Sequence, residues 1–140
     1  MTNAMTELFG EVIHTYTREQ AIEDGVLVDV TEAGREVGFQ FPVAMTQAAW
    51  LDTVKWSEAD EKRKPEYTGQ DERGRLHDVV WMAMLAARRA PAGTRRIPVR
   101  LLRVPTVGRG VRPRYADLVM ECGPGDNAEP VLTIMMPDED

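Results

Sequence analysis

Between Leu76 and Leu101 the apolar residues change their spacing, and that change limits the architectures open to the chain. Leu76, Val79, Val80, Ala83, Met84 and Ala87 recur at helical intervals, with Asp78 early and Arg88 and Arg89 late, the order the helix dipole favours. This predicts a helix over residues 75–89, ended by Ala90-Pro-Ala-Gly93. Ile97, Val99 and Leu101 then alternate with Arg96, Pro98 and Arg100, the two-residue repeat of a half-buried strand. Pro98 donates no ladder hydrogen bond, so this strand belongs at an edge or beside a bulge. Tyr115 to Cys122 predicts a second strand, with Ala116, Leu118 and Met120 on one face and Asp117 and Glu121 on the other. Gly123-Pro-Gly-Asp-Asn127 is turn chemistry, and Val131 to Met136 a third strand. The expectation is α+β: N-terminal helices packed on one face of a small antiparallel sheet whose C-terminal part is a three-strand meander.

The first half carries shorter signals. Phe9 to Tyr16 gathers β-branched and aromatic residues as an entry strand would. Thr17 and Gln20 form a capping box for a short helix that Gly25 stops. Val26 to Val30 is a strand or extended segment, and Thr31 is placed to cap a helix over residues 32–37, ended by Gly38. Phe39 to Val43 is extended, with Pro42 arguing against a central strand. Thr46 caps a longer helix from Gln47 to about Lys62 with Ala48, Leu51 and Val54 on one face, while Trp50 and Trp56 lie off that stripe. Residues 57–75 are polar, contain Pro65, Gly69 and Gly74, and show no hydrophobic period, which predicts a long loop or mobile flap. Pro137 to Asp140 is an acidic tail, expected to fray.

Charge is segregated more sharply than the net value of -6 suggests. Residues 1–87 carry 8 Lys and Arg against 16 Asp and Glu, and residues 115–140 carry 7 acids and no base. Between them, residues 88–114 hold nine Arg and neither acid nor Lys. Arg presents a planar fork that suits phosphate and carboxylate. Besides a solvated surface with no role, two readings are open. The arginines pair across the sheet with Asp117, Glu121 and Glu129, as opposite charges on facing strands do. Alternatively Arg95, Arg96, Arg100, Arg103, Arg109, Arg112 and Arg114 form an anion-binding or nucleic-acid-binding face.

At 140 residues and 43% hydrophobic content the chain suits one globular domain over 1–140. Its single Cys122 allows no internal disulfide and no thiolate-rich zinc site. No apolar run has the length of a membrane helix, and residues 1–9 lack the basic and apolar regions of a secretory signal, so the expected setting is cytoplasmic with no membrane partner. His14 and His77 stand on different expected elements, and no metal-ligand spacing, nucleophile elbow or P-loop occurs. His77 reads as a helix residue flanking the core near Trp81, and Cys122 as a buried or half-buried structural thiol. No catalytic residue, metal ligand or cofactor is expected.

Two resemblances add to this. His14-Thr-Tyr16, a short helix, and Asp24-Gly25-Val-Leu27 resemble the opening of ADP-ribosyltransferases, in which a strand His and a following helix-Gly segment help hold nicotinamide dinucleotide. No position here stands out as that family's later catalytic Glu. Over more of the chain, residues 9–30, Asp78-Val-Val-Trp-Met82 and residues 122–140 resemble a family of small bacterial proteins of unknown function carried on plasmids, phages and integrative elements. That resemblance implies a mobile-element accessory protein, and such proteins modulate host defence or element upkeep. The leading expectation is a non-enzymatic protein that binds a host macromolecule, either nucleic acid or a nucleic-acid-associated protein. A small enzyme with an ADP-ribosyltransferase-like nucleotide site and a self-assembling structural module are the alternatives.

Overall fold

A computed structural model describes residues 16–139. The entry strand expected over residues 9–16 lies outside the described residues except for Tyr16, and so does His14. The element order is α1 (Arg18–Glu23), β1 (Leu27–Asp29), α2 (Thr31–Glu36), β2 (Val43–Thr46), α3 (Gln47–Thr53), α4 (Glu58–Arg63), α5 (Glu72–Arg89), β3 (Arg96–Arg103), β4 (Arg114–Pro124) and β5 (Pro130–Met135). The fold is α+β. Among the described residues its sheet has five strands in the order β1-β2-β5-β4-β3.

The meander is present, but the sheet is mixed rather than antiparallel. β2 runs parallel to β5, with Val43, Ala44 and Met45 opposite Leu132, Thr133 and Ile134. Pro42 was expected to keep this stretch out of the sheet interior. It lies one residue before β2, where its missing N–H costs nothing, and its carbonyl accepts from Leu132 N at 2.9 Å. The strand itself is three buried residues and one half-buried one, too short to show a period.

The principal core lies on one sheet face. Val99, Leu101, Leu118, Met120, Leu132, Ile134, Val43 and Met45 meet Val79, Val80, Ala83 and Met84 of α5 there. The apolar stripe read for α5 is the one that is buried, and Asp71 caps this helix by accepting from Gly74 N at 2.7 Å. Gly34 lets α2 approach β2, since a Cβ there would stand 2.9 Å from Val43 Cγ2. The helices are not all on this face, however. α1 lies against the opposite face, where Arg18 Nη1 donates to Thr133 Oγ1 at 2.8 Å. The capping box of Thr17 and Gln20 and the Gly25 stop at φ 78° are both present.

Three further expectations change. Thr31 does not cap α2; its hydroxyl donates to Asp29 Oδ1 at 2.6 Å, and the N-cap position falls to Val30. The helix expected over residues 47–62 is two helices broken at residues 54–57; of its expected apolar face Val54 is buried but Ala48 and Leu51 are exposed, and within α3 it is Ala49 and Thr53 that are buried. Of the tail, residues 137–139 are tied down: Glu139 Oε1 accepts from Thr46 Oγ1 at 2.6 Å and Met136 N at 2.8 Å.

Among the described residues β3 is an edge strand, as Pro98 suggested. Cys122 N donates to Arg95 O at 2.8 Å, so in this register residues 95, 97, 99 and 101 bond inward to β4. The outward positions are 96, 98, 100 and 102. Pro98 therefore costs no ladder bond and removes one donor from the free edge.

Candidate functional site

The seven arginines singled out by charge divide in two. Arg96 Nη1 donates to Glu121 Oε2 at 2.8 Å, and Arg100 Nε to Asp117 Oδ1 at 2.8 Å, both across the β3–β4 ladder. Arg96 also holds the carbonyls of Pro137 and Glu139, each at 3.2 Å. Arg103 reaches the other way, to Asp52 Oδ1 at 3.1 Å and to the Asp52 carbonyl at 3.0 Å. Glu129 takes none of them; its Oε1 accepts from Asn127 N in the β4–β5 turn. Arg95, Arg109, Arg112 and Arg114 are exposed and form no ion pair among the described residues. Arg95 stands at the start of β3, and the other three follow its end, in the loop and at the first position of β4.

Where β3 ends, buried charges hold the segment expected to be a loop. Ser57 and Asp60 form a capping box for α4, a signal present in the sequence but masked by the lack of any apolar period. Asp60 is 2% exposed and accepts from Ser57 N and Oγ, while Lys55 and Arg63 pair with its two oxygens. Burial pushes the Asp60 carboxyl up; the Ser57 donors and Lys55 outweigh it and hold the group below the usual carboxylate range. Lys64 Nζ donates to the carbonyls of Pro105, Gly108 and Gly110 at 2.7, 3.1 and 2.8 Å, pinning the β3–β4 loop. Burial, then the Arg63 charge, pushes its pKa down.

Arg75 is the centre of this knot and is 4% exposed. Its Nε donates to Val54 O at 3.0 Å, and its Nη1 to Gln70 Oε1 and Val104 O at 2.9 Å each, joining the ends of α3 and β3. Nη2 is buried and finds no acceptor among the described residues; the guanidinium lies 4.9 Å over the Trp56 ring, whose π face compensates part of the charge. Burial and the nearby Arg103 charge push the Arg75 pKa down. Trp56 is thus a core residue stacked on a cation, and Trp50 is half-buried against the principal core.

Along the seam between α5 and the edge strand runs a surface groove. A cleft of about 290 Å³ is lined by Asp78, Trp81, Met82, Arg100, Leu101, Leu102 and Tyr115. At Met82 and Arg100 it adjoins one of about 400 Å³ that reaches Arg89 and Pro91. At Asp78, Leu101 and Leu102 it adjoins one of about 160 Å³ that reaches Arg103 and Pro113. Trp81 and Tyr115 are 43% and 66% exposed, and Leu102 is exposed beside them. Arg100 lies 5.0 Å over the Tyr115 ring, and the His77 ring stacks on Trp81. The aromatic members were missed by charge reasoning, because Trp81 and Tyr115 come together only when α5 is laid over β3.

The other candidates bring no chemistry together. A cleft of about 720 Å³ between α2 and the start of α5 is lined by Glu32, Glu36, Asp71, Arg73, His77 and Asp78, and no hydrogen bond joins those six side chains. Among the described residues no three His, Cys, Asp or Glu gather as metal ligands. Cys122 is half-buried. The glycine-rich turn is the β4–β5 hairpin, and its Asp126 caps α1 by accepting from Arg18 N at 2.7 Å and Glu19 N at 3.1 Å. Among the described residues no helix is long and apolar enough to cross a membrane.

No curated protein and no solved structure matches the chain. A family model does, over residues 3–140, and the chain belongs to that family of unknown function (DUF6573).

Proposed function

We propose that this protein is a non-enzymatic binding module that holds nucleic acid through the arginines flanking β3. The observation that carries this reading is the set Arg95, Arg109, Arg112 and Arg114: four exposed guanidiniums without a carboxylate partner among the described residues, at the two ends of one strand. A guanidinium left free in water retains its fork for a phosphate, whereas one already on a carboxylate must exchange an ion pair to bind. Arg96, Arg100 and Arg103 therefore contribute to this face only by leaving Glu121, Asp117 and Asp52. The resemblance to proteins carried on plasmids and phages supports an accessory role on a mobile element, acting on host nucleic acid or on a protein that carries it, in the cytoplasm. Strand-to-strand self-assembly has less support, because Pro98 removes an outward donor at the middle of the free edge.

Fluorescence anisotropy with a labelled 12-mer, single-stranded and duplex, tests this. Four phosphate contacts predict that affinity falls roughly 50-fold or more between about 50 and about 200 mM salt. The Arg109/Arg112/Arg114 triple alanine variant should lose most of the binding and most of the salt slope. The Arg96/Arg100/Arg103 triple should lose much less per residue. Absence of binding at low salt, or loss only in the second triple, refutes the assignment.

A further inference from the structure

We infer that the groove between α5 and β3 selects single-stranded over duplex nucleic acid by stacking an unpaired base between Trp81 and Tyr115. This rests on the nucleic-acid reading above and names its ligand. Both rings are exposed, Trp81 unlike the buried Trp56 and half-buried Trp50, and they line one cleft of about 290 Å³ with Leu101, Leu102 and Met82, room for a planar heterocycle. The apolar middle of the groove continues into clefts that end near cations on both sides: Arg89 beyond Met82, and Arg103 toward the loop that carries Arg109 and Arg112. A chain with a charged backbone and flat apolar bases has this alternation; a duplex hides its bases in the stack and offers the rings nothing. Arg100 over Tyr115 adds a second flat surface, and its pairing with Asp117 holds it in place. The exposed Asp78, where this cleft meets the one toward Arg103, forms no ion pair among the described residues; its carboxylate disfavours a phosphate there and suits a base, whose edge N–H groups donate hydrogen bonds.

The test compares a 12-mer of thymidine, a mixed-sequence 12-mer and its duplex, by anisotropy at about 50 mM salt. Single strands should bind at least tenfold more tightly than the duplex, and Tyr115→Leu or Trp81→Leu should each remove roughly tenfold of single-strand affinity while leaving duplex affinity unchanged. Because Trp81→Leu could perturb α5, the indole N–H resonance of Trp81 in the unmodified protein serves as the second readout, and it should shift on saturation with the thymidine 12-mer. Equal or tighter duplex binding with the salt dependence intact overturns the stacking inference and leaves the arginine face standing. Absence of binding to every probe overturns both. A still Trp81 resonance at saturation overturns the inference whatever the affinities.

Discussion

Two charge-rich regions adjoin β3, one on its exposed face and one where it ends, and they use the same residue types to opposite ends. On the exposed face of the β3–β4 ladder, Arg96 and Arg100 each meet one carboxylate in open solvent. In the knot where α4, α5 and the β3–β4 loop converge, Asp60, Lys64 and Arg75 are buried and held mostly by backbone groups. In water a pair gains little because solvent screens it and both side chains lose freedom. In the interior a charge stripped of water costs several kcal/mol unless every donor finds an acceptor, so its partners become a structural requirement. Ion pairs on a surface are therefore poor evidence of stability here, while a lysine on three carbonyls is good evidence of an ordered loop.

The comparison is tested most severely at Arg75. Arg75→Met leaves the carbonyls of Val54 and Val104 and the Gln70 amide oxygen without a donor, and should cost about 2–4 kcal/mol of unfolding free energy in urea titrations. A loss well under about 1 kcal/mol would mean the knot is no more demanding than the ladder.

A smaller, pH-dependent effect is expected at Asp60. Its folded-state pKa lies below its unfolded value, so its contribution is complete above the usual carboxylate range and disappears as pH falls through the lowered value. The stability difference between the protein and its Asp60→Asn variant, about 1–3 kcal/mol near neutrality, should shrink as pH is taken from about 5 to about 2. A difference independent of pH would show that the hydrogen bonds of Ser57, not the charge, hold α4.

The smallest effect belongs to the ladder. Arg100→Ala and Asp117→Ala, singly and together, should leave the urea midpoint within the error of measurement, because both groups are solvated. Arg100→Ala should nonetheless weaken single-strand binding, since it removes the cation over Tyr115. Stability lost without affinity would reverse the assignment of the two regions.

How far the sequence could be read depended on distance along the chain. Thr17 with Gln20, Gly25, the stripe of α5 and the edge position of β3 are each specified within a few residues, by hydrogen bonds or periods that a local window contains. The helix within residues 57–75 is hidden from the sequence because it starts on a capping box and buries charges, which hydrophobic periodicity does not register. The ladder partners Asp117 and Glu121 were legible from strand alternation, but Asp52 as the partner of Arg103 was not, since α3 meets β3 only in three dimensions.

By itself the sequence determined the switch from helix to strand period, the meander, the blunted edge at Pro98 and the arginine-only segment. Tertiary structure alone decided that β2 inserts parallel to β5, which of the arginines are neutralised, and that Trp81 and Tyr115 share a groove. The physical reason is that periodicity and capping act over one or two turns, whereas pairing and burial are set by whichever groups folding brings alongside, often from the other end of the chain.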